Sequence, residues 1–142
     1  ISADGTHDVF EYIRRDHSWD KFVSVVESMK KDLSQHNMKY TMKVSYVLQA
    51  INAKTFIKDR EFYRNWDFLH DNNPFEYELL NGPKHLSLAS VPQELKKLWN
   101  ADVFDDFDYD RKQHEEMIKY YDTIDRVDQH ISWRSFIPEL DL

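Results

Sequence analysis

Cysteine is absent from the 142-residue chain, and glycine and proline are scarce, at two and four residues. Without cysteine the chain cannot form a disulfide framework, a thiolate nucleophile or a cysteine-based zinc site. Two glycines are too few for a glycine-rich phosphate loop, and so few turn residues disfavour a many-stranded sandwich or barrel. These absences favour an all-helical domain.

A long apolar stretch is also missing, because the longest run without a charged residue, Val44 to Ala53, has 10 residues. A membrane-spanning helix needs about 18 or more, and no signal-peptide pattern opens the chain. We therefore expect a soluble protein that does not associate with a membrane. The lack of cysteine fits a reducing interior, and we take the cytoplasm as the expected compartment.

Positive charge is in deficit, with 19 Lys and Arg against 26 Asp and Glu and a net charge of -7. The imbalance lies in residues 71–142, which hold 8 basic and 16 acidic residues. Such a surface repels the phosphates of nucleic acid, so we do not expect binding to extended nucleic acid. The same charge leaves open an acidic inhibitor that imitates nucleic acid, with the segment Asp102 to Asp110 as its main evidence.

Apolar residues recur at three- and four-residue spacing along most of the chain, which predicts amphipathic helices. Ser18 is the expected N-cap of a helix that reaches Leu33, and Thr6 caps a shorter helix before it. Further helices are predicted over Met38–Asn52, over Asp59–Asp71, after Asn73-Pro74, after Ser90, and from Arg111 to Ile131.

The expected fold is a single compact all-α domain of 142 residues with about six or seven helices. Residues 1–33 would form N-terminal helices and residues 34–131 a helical core. Residues 132–142 would form a tail that docks through Trp133, Phe136 and Ile137.

Four residues that often bind metals lie on or beside these predicted helices in the order His36, His70-Asp71, Asp125. This order resembles that of the HD-domain phosphohydrolases, which are helical metalloenzymes. The local sequences are most similar to those of bacterial 5'-deoxynucleotidases, in the segments Ser34-Gln35-His36, Phe68-Leu69-His70-Asp71 and Thr123-Ile124-Asp125-Arg126. The stretches Glu78–Gly82 and Val91–Leu95 also resemble the segments that link the ligands in that family.

The resemblance implies an HD-type core in which His36, His70, Asp71 and Asp125 hold one divalent ion, which could be Mn, Co, Zn, Fe or Mg. Two imidazoles and two carboxylates leave coordination positions for water and for a phosphate oxygen. The implied activity is therefore hydrolysis of a small phosphate ester, a nucleotide or deoxynucleotide, by metal-activated water.

The resemblance also suggests catalytic and substrate-binding residues. The family places a glutamate three residues after the His-Asp pair, where this chain has Pro74, so Glu76 or Glu78 would help to activate water. An Arg-Trp pair that contacts the nucleotide in members of that family is matched loosely by Trp19, with Arg14 or Arg15 displaced from it. Charge and nearness in sequence add two candidate phosphate contacts, Lys84 and Arg126.

Each of these residues also has an ordinary structural explanation. His36 could lie exposed at a helix start, and His70-Asp71 could be a helix end followed by an N-cap. Asp125 lies three residues from Asp122 and from Asp128, an acidic stripe that needs a metal or a basic partner nearby. The main alternative to an enzyme is a helical interaction subunit, or a homodimer, that pairs through the last helix and the tail.

Overall fold

The computed structural model describes residues 1–66, 74–102, 107–127 and 131–142. These ranges contain five α-helices and two β-strands. The helices are α1 (His7–Ile13), α2 (Trp19–Gln35), α3 (Phe56–Arg64), α4 (Gln93–Leu98) and α5 (Arg111–Val127), and the strands are β1 (Val44–Leu48) and β2 (Phe75–Leu79). Short 3-10 turns lie at Ala50–Asn52, Lys84–Leu86, Leu88–Ser90, Trp133–Ser135 and Pro138–Leu140.

The all-α prediction is wrong, because β1 and β2 pair as a parallel sheet. The register places Val44 opposite Phe75 and Leu48 opposite Leu79. The connection between the strands contains α3, as parallel neighbours require a long crossover. The domain is therefore mixed α/β, with five helices in the described ranges rather than six or seven.

Strand β1 replaces the helix that was predicted over Met38–Asn52. Its side chains follow a two-residue period, with Val44, Tyr46 and Leu48 buried and Ser45 exposed. Valine and tyrosine favour a pleated, buried strand. The apolar residues of this segment also fit a helical spacing, so the pattern alone did not separate the two structures.

Strand β2 replaces the short helix that was predicted after Pro74. Its sequence alternates apolar residues with Glu76 and Glu78, which is the period of a strand. Pro74 does not open a helix, because its carbonyl accepts a hydrogen bond from the backbone N–H of Val44 at 2.8 Å. Proline is tolerated at the start of a strand, where its missing N–H is not needed.

Several predicted helices are present, with shifted ends. Ser18 caps α2, since its Oγ accepts a bond from the backbone N–H of Lys21 at 3.4 Å. Thr6 precedes α1, but its hydroxyl does not cap the helix and instead donates to Asp59 at 2.8 Å. Helix α3 begins and ends earlier than predicted, and residues 67–71 of that prediction lie outside the described residues.

Residues 1–3 extend the sheet on the free side of β1. The N–H of Ser45 donates to the carbonyl of Ile1 at 2.8 Å, and the N–H of Ala3 donates to the carbonyl of Ser45 at 3.0 Å, in parallel pairing. The three segments run in one direction, so their carboxyl ends meet at one edge. Asp4, Gln49 and Leu80 follow them there, and we call this edge the carboxyl edge.

Side chains complete the pairing of β1 at the carboxyl edge. Asp4 accepts bonds from the Val47 N–H and from the Arg14 guanidinium, both at 2.8 Å. Asn52 donates to the carbonyls of Val47 at 2.8 Å and of Asp4 at 3.0 Å. Buried backbone groups that would otherwise lack partners are thereby satisfied, and the start of the chain is fixed to β1.

One cluster of buried apolar residues runs from Ala3 to Leu140. The segment 131–142 contributes Trp133, Ile137 and Leu140, each 0% exposed, so the tail is part of this core. No helix in the described ranges has both the length and the apolar character that crossing a membrane requires.

Candidate ligand-binding cleft

A cleft of about 280 Å³ opens at the carboxyl edge of the sheet. Gln49 and Ile51, directly after β1, line one side, and Leu86, in the turn after β2, lines another. Helix α5 supplies Tyr120, Tyr121 and Ile124, while Tyr12, Ile13 and Arg15 come from the end of α1. In sheets with parallel strands, ligands bind outside the carboxyl ends of the strands, which makes this cleft the first candidate for a functional site.

Two polar atoms of the cleft walls are buried without a hydrogen-bond partner in the described part of the chain. They are Nη2 of Arg15 and the hydroxyl of Tyr121. Buried polar groups in native proteins nearly always have partners, and exceptions often mark functional positions. Burial raises the pKa of the Tyr121 hydroxyl well above its usual range, so this group stays a neutral donor.

Arg14 and Arg15 are neighbours in sequence with different roles. Nη2 of Arg14 donates to Asp4 at 2.8 Å and so belongs to the hydrogen bonds at the carboxyl edge. Arg15 lines the cleft, and its Nη2 has no carboxylate partner among the described residues. A guanidinium is always charged and binds carboxylates and phosphates through paired N–H groups. The cleft can therefore attract an anion although the chain is acidic overall.

Tyr12 forms a fixed wall of the cleft. Its hydroxyl donates to Oδ1 of Asp125 at 2.9 Å, and its ring packs edge-on against Phe136 with centroids 5.4 Å apart. The ring of Tyr121 lies 6.0 Å from it on the cleft side. Burial, together with the bond to Asp125, raises the pKa of Tyr12 far above its usual range. The hydroxyl therefore keeps its proton and the bond to Asp125 remains.

The predicted metal ligands are only partly described, since His70 and Asp71 lie outside the described residues. His36 does not begin a helix: it caps the carboxyl end of α2, is exposed, and its Nδ1 lies 2.7 Å from the carbonyl oxygen of Asp32. Asp125 accepts bonds from Tyr12, from the Ser132 hydroxyl at 2.6 Å and from the Trp133 N–H. A metal would have to replace these donors, so the surroundings of Asp125 do not fit a metal ligand.

In the described ranges, no group of three or more His, Asp or Glu side chains is placed to hold a metal ion. The acidic stripe on α5 instead has a basic partner, because Asp122 accepts bonds from the guanidinium of Arg134 and from the indole of Trp133. The bond to Arg134 is the main reason that the pKa of Asp122 is lowered. The four-residue metal site stays a prediction that depends on His70 and Asp71.

The remaining predicted residues lie apart from the cleft lining, with the exception of Arg15. Trp19 is buried in an aromatic cluster, with its ring 5.3 Å from that of Phe10, and so it belongs to the core. Glu76 and Glu78 are exposed on β2, where Glu76 pairs with Lys43 at 2.7 Å. Lys84 and Arg126 are exposed, each two residues from a residue of the cleft wall, Leu86 and Ile124 respectively.

Comparison with protein-family models, with curated proteins and with solved structures finds no match to this chain. The cleft is therefore interpreted from its own geometry.

No sequence pattern pointed to Tyr12, Gln49, Tyr120 or Tyr121 as cleft residues. These residues come together at the carboxyl edge of the sheet. A prediction of helices in place of both strands contains no such edge. The alternation of Phe75-Glu76-Tyr77-Glu78-Leu79 was the available signal. If this alternation is interpreted as a strand, the turns that follow it and Gln49 after β1 lie at the end of a parallel sheet.

Proposed function

We propose that this domain binds a small organic anion, a carboxylate or phosphate joined to a planar or apolar group, in the cleft at the carboxyl edge. The observation that carries the proposal is the buried Nη2 of Arg15, which lacks a partner among the described residues. An anionic ligand would supply that partner once the guanidinium turns toward the cleft.

The rest of the cleft supports an apolar portion of the ligand. Ile13, Ile51, Leu86 and Ile124 give aliphatic surface, and the tyrosine rings of α5 give flat surface. A lining that is mostly apolar with a few polar groups is typical of small-molecule sites. The volume, about 280 Å³, lies near the lower end for such sites and suits a single ring system.

The strength of the anion contact can be approximated. A hydrogen bond to a charged group contributes about 1.5–3 kcal/mol, which corresponds to about 10- to 150-fold in affinity. Because the guanidinium is already partly desolvated, binding adds little further desolvation cost at this atom. Arg15 should therefore dominate the preference for anions over neutral molecules of the same shape.

The test is calorimetric titration with three probes, phenyl phosphate, phenylacetate and neutral benzyl alcohol. We expect saturable binding of at least one of the two anions, weaker binding of the alcohol, and a loss of about tenfold or more in anion affinity in Arg15→Gln. The matched control is Arg111→Gln, since Arg111 is an exposed arginine of α5 outside the cleft.

The two anions separate the chemical alternatives, because preference for phenylacetate would indicate a carboxylate ligand and preference for phenyl phosphate a phosphate ligand. The proposal would be contradicted if neither anion binds. Equal affinities in wild type and Arg15→Gln would contradict it as well.

A further inference from the structure

A second cavity, of about 540 Å³, lies beside the cleft and shares two wall residues with it, Tyr12 and Arg15. Its other walls are residues on either side of Tyr12 in and after α1, the end of α5, and the residue just before the tail. They include Glu11, Asp16, His17, Val127 and Ile131. Residues that line both cavities stand between them, so Tyr12 and Arg15 form the partition.

Within this partition, Tyr12 is held firmly at both ends of its side chain. Tyr12 is fixed at its hydroxyl by Asp125 and at its ring by Phe136. Asp125 is itself fixed, because it accepts bonds from Ser132 and from the backbone of Trp133, whose side chain is fully buried. The position of the Tyr12 ring is thus set by the docked tail.

We propose that Tyr12 is the specificity-determining residue of the cleft, and that its ring closes the passage to the second cavity so that the anionic group of the ligand must be terminal. Asp125 acts as a positioning residue, since it holds the ring through the hydroxyl. This inference rests on the proposed function of the cleft.

The chemical consequence is selection of a phosphomonoester over a phosphodiester. With its phosphate at Arg15, a monoester needs room for one organic group, and the cleft provides it. A diester carries a second organic group, and the Tyr12 ring blocks the direction in which that group could reach the second cavity. Rejection by a fixed side chain is a common source of specificity.

The experiment measures the affinities of phenyl phosphate and diphenyl phosphate for wild type and variants, and compares their ratio. We expect wild type to prefer phenyl phosphate. Tyr12→Ala should shift the ratio toward diphenyl phosphate by about tenfold or more, because a second ring then gains buried apolar contact. Asp125→Ala should shift it in the same direction by a smaller factor, and Asp125→Asn, which keeps an acceptor for the Tyr12 hydroxyl, should stay near wild type.

The ratio is informative because both probes are measured on the same preparation, so a partly unfolded variant changes both affinities alike. If Tyr12→Ala does not fold, Asp125→Ala carries the test, because it keeps the Tyr12 ring but removes the hydrogen bond that holds its hydroxyl. Unchanged ratios in the folded variants, or a wild type that binds both esters equally, would overturn the inference while the proposed function stands. Absence of Arg15-dependent binding of phenyl phosphate to wild type would overturn both.

Discussion

The unpartnered hydroxyl of Tyr121 leads to an uncommon prediction, that a site residue can be removed with a gain in stability. The hydroxyl is buried in the wall of the cleft without a partner in the described ranges. Burying such a group unpaired costs about 1–3 kcal/mol. Tyr121→Phe removes this cost and keeps the ring, so the free energy of unfolding should rise by about 1 kcal/mol or more. For a domain of this size that raises the melting temperature by roughly 2–4 °C per kcal/mol.

Tyr63 provides a matched control for this substitution. It is also fully buried, but its hydroxyl donates to the carbonyl of Gly5 at 2.6 Å. Tyr63→Phe should therefore destabilise the fold by about 1–3 kcal/mol, because the carbonyl loses its partner. Urea unfolding, followed by circular dichroism, measures both variants. A Tyr121→Phe variant that is destabilised as much as Tyr63→Phe would refute the reasoning.

The same variant has a predicted cost in binding. If the Tyr121 hydroxyl contacts the ligand, its loss should lower the affinity for phenyl phosphate by about two- to tenfold, the value of one ordinary hydrogen bond. Opposite signs for stability and affinity are expected where a polar group is kept for function.

Three further predictions concern Asp59, Gly5 and the metal hypothesis. Burial raises the pKa of Asp59 by more than the hydroxyl groups that donate to it lower this pKa. The folded chain therefore binds the Asp59 proton more tightly than the unfolded chain does, in which the pKa of this carboxyl is about 3.9. Protonated Asp59 stabilises the wild type at low pH, and this stabilisation is lost as the pH rises through the folded pKa. The free energy of unfolding of Asp59→Asn relative to wild type should therefore increase as the pH rises from about 4 to 8. A difference that stays constant over this range would count against the prediction. Gly5 has φ +154°, and a Cβ there would lie 2.8 Å from Cγ1 of Val9, so Gly5→Ala should cost about 1–3 kcal/mol in urea unfolding; a change within about 0.5 kcal/mol would disagree. The HD-type ligand set predicts bound metal in elemental analysis of wild type and less in His70→Ala, and equal contents would remove its basis.

The sequence predicted the helices better than the strands, for a definable reason. In α2 and α5 the apolar spacing extends over 17 residues, long enough for one period to prevail. β1 and β2 have five residues each, and in β1 the face opposite the buried one carries Val47 as well as the exposed Ser45. A short apolar run fits either period, and its pairing partner lies 31 positions away, at Val44 and Phe75. Such non-local pairing leaves no mark within a local window.

The candidate site was hard to predict from the sequence for the same reason. Arg15 was a candidate from the sequence through the resemblance to HD-domain phosphohydrolases, and it is the one predicted substrate contact that lines the cleft. Asp125 was predicted as a metal ligand through the same resemblance, and the acidic stripe in which it lies has Arg134 as its basic partner, 12 residues beyond Asp122. Which carboxylate meets which cation depends on how the tail folds back, and sequence spacing does not contain that information.

The most direct test of the cleft is to follow the arginine side-chain signals of the labelled protein by nuclear magnetic resonance during titration with phenyl phosphate. We expect saturable shifts that are largest at the Arg15 guanidinium. The signals of Arg14, whose guanidinium is bonded to Asp4, and of Arg111 should change little. Saturable binding that leaves the Arg15 signals in place, or shifts those of Arg111 as much, would contradict this expectation.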